Sequence, residues 1–269
     1  VADHAQHLAV YGRLALARVR GELQYRGSFA LFTASQFLAS ALDFVALLAV
    51  FGHIDALAGW SVAEVAFLYG SASLSFHLCD LVFGQVEHLS ERIRTGTFDR
   101  LLTRPLGVLG QLLAEEFALR RVGKVAQAAV VFAVAVAWVE VDWDAGRLLW
   151  LPLMLVAGSA IFAAVWVALG TVAFWTTEGG GMTNAFTYGG HYLAQHPLGI
   201  YGRWLRRLAL VVPVAFVNYY PALYVLGRSD TLGLPPAARF ASPAVAAAAG
   251  LLATRLWRTG VRHYRSTGS

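Results

Sequence analysis

Residues 148–175 run for 28 positions without a charged side chain. Wound as a helix at 1.5 Å per residue they reach about 42 Å, more than the roughly 30 Å hydrocarbon core of a bilayer. Such a stretch must tilt or protrude where it crosses. Apolar side chains make up 58% of the 269 residues and charged ones only 14%, against roughly 25% charged in an ordinary soluble domain. A water-soluble core of this size could not hide so much apolar surface. The composition therefore excludes a soluble globular enzyme and points to a helical integral membrane protein.

Six candidate spans follow from the apolar runs: 29–51, 61–84, 122–139, 148–175, 208–227 and 242–257. The first contains Asp43, and the second contains Glu64 near one end and Asp80 near the other. Before them, residues 1–28 combine a partly apolar stretch with Arg13, Arg18, Arg20 and Arg26. Arg13 interrupts any cleavable signal, and the pattern suits an amphipathic helix on the inner membrane face, a frayed polar tail being the alternative. The formal net charge is +5, but the arginines form clusters between the apolar runs rather than one patch. That is the positive-inside pattern, not a nucleic-acid surface. Counting places 18 Arg and Lys on one side and only Arg147, Arg228 and Arg239 on the other, so both termini are expected in the cytoplasm. Lys124 is the one lysine, and Cys79, standing alone, has no disulfide partner in the chain.

Two readings are open for residues 176–227. Gly179-Gly180-Gly181 should break a helix, and 182–198 is only moderately apolar. Hydropathy and charge counting favour a cytoplasmic loop, bearing Arg203, Arg206 and Arg207, ahead of a span at 208–227. The alternative is a short polar fifth span followed by re-entrant helices on the outside, punctuated by Pro213 and Pro221. Irregular backbone at that depth would have to be buried in protein.

No phosphate-cradling loop is present. The Gly123-Lys124 pair is followed by Val125 and lacks the upstream glycine of the P-loop pattern, so the chain is expected to carry no nucleotide cofactor of its own. His4 and His7 with Asp3 lack a fourth metal ligand nearby, and His191 and His196 are spaced poorly for one helix face; no metal site is expected. His77 and Asp80, three apart, can pair along a helix, as a bond within the bundle in preference to a proton relay. Ser71 and Ser73 in Gly70-Ser71-Ala72-Ser73 read as close helix packing rather than a nucleophile. Asp43 is the deepest ionisable group, a functional candidate by its depth or a partner for a neighbouring helix.

The stretch 85–117 is the most informative. Val86, Leu89 and Ile93 form an apolar stripe, with Glu87, Glu91, Arg92 and Arg94 on other faces. Gly96 looks like a helix stop. A second amphipathic turn, Thr97-Phe98-Asp99-Arg100-Leu101-Leu102-Thr103-Arg104, is closed by Pro105. This is a docking surface for a soluble partner, or else a surface helix held by acidic lipid.

At this point the sequence resembles permease subunits of the ABC-2 superfamily, in the branch described as viologen or multidrug exporter permeases. The resemblance is carried by Gly59-Trp60-Ser61 with Leu68-Tyr69-Gly70, by Ile93 to Pro105, by Pro213-Val214-Ala215-Phe216-Val217-Asn218-Tyr219-Tyr220-Pro221, and by the ending Tyr264-Arg265-Ser266-Thr267-Gly268-Ser269. It implies an all-α, polytopic fold: one transmembrane domain over 1–269, six transmembrane helices, an N-terminal amphipathic elbow helix and a cytoplasmic coupling helix. It further implies a second permease subunit, identical or paralogous, and two cytoplasmic ABC ATPase subunits that carry the ATP and Mg. The setting would be the cytoplasmic membrane of a bacterium, surrounded by membrane lipid. Glu91, Arg92, Arg94, Asp99, Arg100 and Arg104 would lie in the region touching the ATPase. Such proteins are mostly exporters, often with re-entrant helices before the last span; the substrate does not carry over. Phe29, Phe32, Phe37, Phe44, Trp166 and Phe174 could line an apolar or cationic-compound path, or simply pack. An intramembrane enzyme using His77, Asp80 or the serines, and a purely structural subunit, are the rivals.

Overall fold

The computed structural model describes Gly12, residues 20–21, and residues 24–115, 121–176, 180–230 and 232–264. It is 79% helix, with no strand among the described residues. The expected elbow helix at 1–28, the His4 and His7 pair and the end of the chain fall largely outside those residues.

The helices begin where local chemistry tells them to. α1 covers Arg26–Phe51 and α2 Val62–Phe83. Ser61 caps α2: its hydroxyl accepts from the Glu64 amide, and the Glu64 carboxylate accepts from the Ser61 amide at 2.8 Å. This reciprocal arrangement satisfies two donors that the first turn would otherwise leave bare. Past α2 the chain runs through a 3-10 turn at Gly84–His88 into α3 (Leu89–Arg94), then α4 (Asp99–Leu102) and α5 (Val108–Glu115). α6 spans Val122–Trp138 and α7 Ala145–Gly170, the latter capped by the Asp144 carboxylate, which accepts from the Arg147 amide at 2.9 Å. α8 covers Gly180–Ala194, α9 Arg203–Val211, α10 Tyr219–Val225 and α11 Ser242–His263.

Three helical stretches are long and apolar enough to cross a membrane: Arg26–Phe51, Val62–Arg94 and Ala145–Phe174. α6 is shorter but apolar. The protein is embedded in a membrane. α2 is the central rod, with Phe67, Leu68, Ala72 and Phe76 fully buried. α6 approaches it so closely that a Cβ at Gly70 would stand 2.7 Å from the Phe132 Cα; only glycine permits that spacing. α1 lies outermost, with Leu31, Leu38, Leu42 and Val45 exposed along its apolar face.

Between 176 and 227 the structure departs from the favoured reading. Gly180 and Gly181 open α8 instead of breaking it. α8 runs antiparallel to α2: the Tyr188 hydroxyl donates to Glu87 beyond one end of α2, at 3.3 Å. Near α2's other end, Asn218 Nδ2 donates to both the Ala194 and Leu68 carbonyls at 2.9 Å. Residues 208–227 do not form one straight helix. They belong to a pair of helices, Arg203–Val211 and Val214–Val225, bent by 75°. Pro213 sits at the bend, where it lacks an amide and would clash with the preceding turn of a continuous helix. Gly199 packs beside Ala58, so Arg203, Arg206 and Arg207 sit at the Trp60 end of the bundle, opposite Arg92–Arg104. Charge counting had grouped them with Arg92–Arg104; the bent pair puts the two sets at opposite ends of the bundle. The asymmetry of the remaining arginines is unaffected.

Candidate functional site

The segment after α2 is a rigid hook. Val86, Leu89, Ile93, Phe98 and Leu101 are all buried, which is the apolar stripe read from the sequence continued through the next turn. Gly96 adopts φ +67°, a left-handed conformation open to glycine at little cost, and it ends α3 as expected. Thr95 Oγ1 donates to the Glu91 carbonyl at 2.9 Å and Thr97 Oγ1 to that of Arg92 at 3.3 Å. On the far side, the buried Gln111 of α5 donates from Nε2 to the Leu101 and Leu106 carbonyls at 3.0 and 2.9 Å. These bonds leave the loop little freedom of its own.

Phe98 fastens the hook to two distant helices. Its ring lies 5.3 Å from Phe174, beyond α7, and 4.9 Å from Tyr264, beyond α11; Phe174 in turn meets Trp257 at 5.4 Å. The Tyr264 hydroxyl donates to Asp99 Oδ1 at 2.9 Å. Burial first, and then the Asp99 carboxylate, push that hydroxyl up to about 12, so it remains a donor throughout the physiological range. Asp99 is half-buried and faces this joint. Glu91, Arg94, Arg100 and Arg104 are exposed. A groove of about 520 Å³ opens among His88, Glu91, Arg92, Arg100, Leu101 and Arg104. Arg92, Arg100 and Arg104 give its wall three guanidinium groups beside the Glu91 carboxylate.

Above the hook, buried polar groups form a seam. Asp80, 1% exposed, does not pair with His77 along α2 as the spacing predicted. It takes Arg121 instead, at 2.5 Å, while the same guanidinium also donates to the Asp80 carbonyl at 2.9 Å and to Glu87 at 3.2 Å. The reason is charge: a carboxylate out of water needs a cation, and a fixed guanidinium fork supplies one with donors in the right plane. His77 instead lies edge-on to His191, ring centres 5.3 Å apart. The hydroxyl of Ser73 accepts from Gln195 Nε2 at 3.0 Å and lies 3.4 Å from His191 Nε2. Among the described residues no hydrogen bond joins that histidine to a carboxylate, so the contact lacks the orienting member of a nucleophilic triad. No His, Cys, Asp or Glu group that could hold a metal is found among the described residues.

Asp43 stands on the exposed flank of α1. Its neighbour Phe44 meets Tyr69 with ring centres 5.2 Å apart, and the Tyr69 hydroxyl donates to the Ser40 carbonyl at 3.3 Å. Asp43 and the exposed Tyr192 of α8 both lie within electrostatic reach of that hydroxyl. Phe44 of α1 thus packs ring to ring on Tyr69 of α2, with the exposed Asp43 next to it in the chain. Sequence reasoning missed Arg121, Glu87, Gln195 and Asn218 as ties. Asn218 lay inside the motif Pro213–Pro221, and a polar side chain among apolar ones was the signal available for it.

A family model described as ABC-2 family transporter protein matches residues 37–268, and the chain belongs to that family. No curated protein and no solved structure matches it.

Proposed function

We propose that this ABC-2 family membrane protein is the permease subunit of an ATP-driven exporter, moved by separate ATPase subunits that grip residues 84–107. Membership of the family makes it a transport component rather than a catalyst. The observation that carries the rest is the clasp of Phe98 by Phe174 and Tyr264. Through it, and through the near-continuous run of α2 into α3, a push on one short hook reaches α2, α7 and α11 together. In this reading α1, α2, α6, α7, α8 and α11 are the six crossings of one transmembrane domain, with an elbow helix before them. α9 and α10 form the re-entrant element on the outside, and both termini are cytoplasmic in a bacterial plasma membrane. Two permeases, identical or paralogous, and two ATPases that bind ATP and Mg complete the assembly. Glu91, Arg92, Arg94, Arg100 and Arg104 form the docking surface, while Asp99 braces it from within. Purifying the chain in mild detergent from its native membrane should bring down an ATP-hydrolysing subunit. A chain that is active alone would instead be an enzyme, and one with neither partner nor activity a structural subunit.

ATP can direct flux only if the two conformations of the permease differ in affinity for substrate. Asp43 is suited to that difference. A carboxylate at bilayer depth is too costly to face lipid and belongs on protein or a wet path. With Tyr69 within its electrostatic reach, the path between two permeases would favour hydrophobic or cationic compounds, as in the exporter branch the sequence resembles. Asp43→Asn should leave insertion and ATPase assembly intact and lower transport of cationic compounds by about tenfold, the equivalent of roughly 1.4 kcal/mol. Equal transport by both forms would take Asp43 off the path.

A further inference from the structure

We infer that α9 is a lipid-reading helix whose Arg203 and Arg207 bind the phosphate of an anionic phospholipid at the membrane surface. Its sequence, Arg-Trp-Leu-Arg-Arg-Leu-Ala-Leu-Val, divides cleanly around the helix. Leu205, Leu208 and Ala209 turn inward, toward Phe186 and Gly190 of α8, and roof an apolar cleft of about 230 Å³. Arg206 is used internally: its Nε and guanidinium nitrogen donate to the Tyr201 and Gly199 carbonyls at 2.7 and 2.6 Å, which pins the start of the helix. Arg203 and Arg207 stand one turn apart on the side away from the cleft, both exposed, and no acid pairs with either among the described residues. On the flank between cleft and arginines, Trp204 is 68% exposed and Val211 81%.

Neither water nor hydrocarbon satisfies that surface by itself. Water leaves a tryptophan and a valine bare, and acyl chains leave two guanidinium groups without a counter-charge. An amphiphile with a negative head satisfies both, because indole settles at the headgroup level and arginine pairs bidentately with phosphate. The placement explains a further oddity. These arginines sit at the Trp60 end, where the bundle otherwise carries few, so they are not there to fix topology. A negative lipid headgroup gives them a local reason to be there. The inference needs only that the chain is membrane-embedded; it holds with or without an ATPase.

Each arginine near an anionic surface enriches such lipid by roughly fivefold. The test reconstitutes the full chain, and a Trp204→Phe variant as the reference for the other tryptophans, in vesicles. These hold phosphatidylcholine mixed with phosphatidylglycerol, one or the other brominated on its acyl chains. The difference signal, that of Trp204, should be quenched at several-fold lower mole fraction by brominated phosphatidylglycerol than by brominated phosphatidylcholine. Arg203→Gln with Arg207→Gln should equalise the two lipids while leaving Trp204 quenchable, and Arg203→Lys with Arg207→Lys should restore much of the preference. Equal quenching of the unaltered chain, or a preference that survives the glutamine pair, overturns the inference. So does a Trp204 that neither lipid reaches, since that means a protein covers the helix.

Discussion

Arg121→Leu should destabilise the protein by about 3–5 kcal/mol, the usual consequence of removing one partner from a buried ion pair. It should do more harm than Asp80→Asn. Asp80 is almost wholly buried, and its carboxylate and carbonyl both take bonds from Arg121. Without the guanidinium a charge is stranded among α2, α6 and α8, and Glu87 is left with only Tyr188 and His88. An amide in place of Asp80 leaves Arg121 still paired with Glu87. The double variant Asp80→Asn with Arg121→Leu should therefore regain much of what Arg121→Leu alone loses. Thermal unfolding in detergent, run as a double-mutant cycle, measures the coupling. Strictly additive losses would show that the two side chains do not act as a pair and that the seam owes its rigidity to packing alone.

That pair also shows where sequence reading stops. Asp80 and Arg121 are 41 residues apart, and nothing in either neighbourhood names the other. His77, one turn away from Asp80, was the visible partner and the wrong one, because local spacing says nothing about desolvation. The opposite holds for α7 and for the stripe of Val86, Leu89 and Ile93. These depend on composition, adjacency and helical period, all of which are local, and the structure has them where they were expected. α8 was obscured for a more interesting reason. Its Thr183, Thr187 and His191, with Gln195 just past its end, recur every four residues and all are buried against the bundle, while Met182 and Tyr192 are exposed. A helix whose polar stripe is turned inward against a bundle reads as a loop to a hydropathy window. Arg203, Arg206 and Arg207 added to this, since counting grouped them with Arg92–Arg104 and the fold sets them at the other end of the bundle. Phe98 was in plain view within an amphipathic turn, but its value comes from Phe174 and Tyr264, which only the tertiary structure brings near.

Reversing the charge of the groove by Arg100→Glu with Arg104→Glu should abolish coupling without harming the fold. Both residues are exposed, and exposed substitutions of this kind usually change stability by no more than about 0.5 kcal/mol. Membrane insertion and the thermal midpoint should hardly move. Docking is different, since each reversal places like charge against an acidic partner, and such juxtapositions cost several kcal/mol. Even about 2.7 kcal/mol is a hundredfold, enough to lose the ATPase on purification and to reduce ATP-dependent transport to background. Two further readings distinguish a docking site from a merely basic surface. Association of the unaltered chain should weaken as salt rises, because exposed charges are screened over about 8 Å at physiological ionic strength. Acid-to-arginine changes on the ATPase face should also rescue the reversed permease and no other variant. If the doubly reversed chain still binds the ATPase and transports normally, the groove is not where the motor engages, and the clasp at Phe98 would transmit nothing.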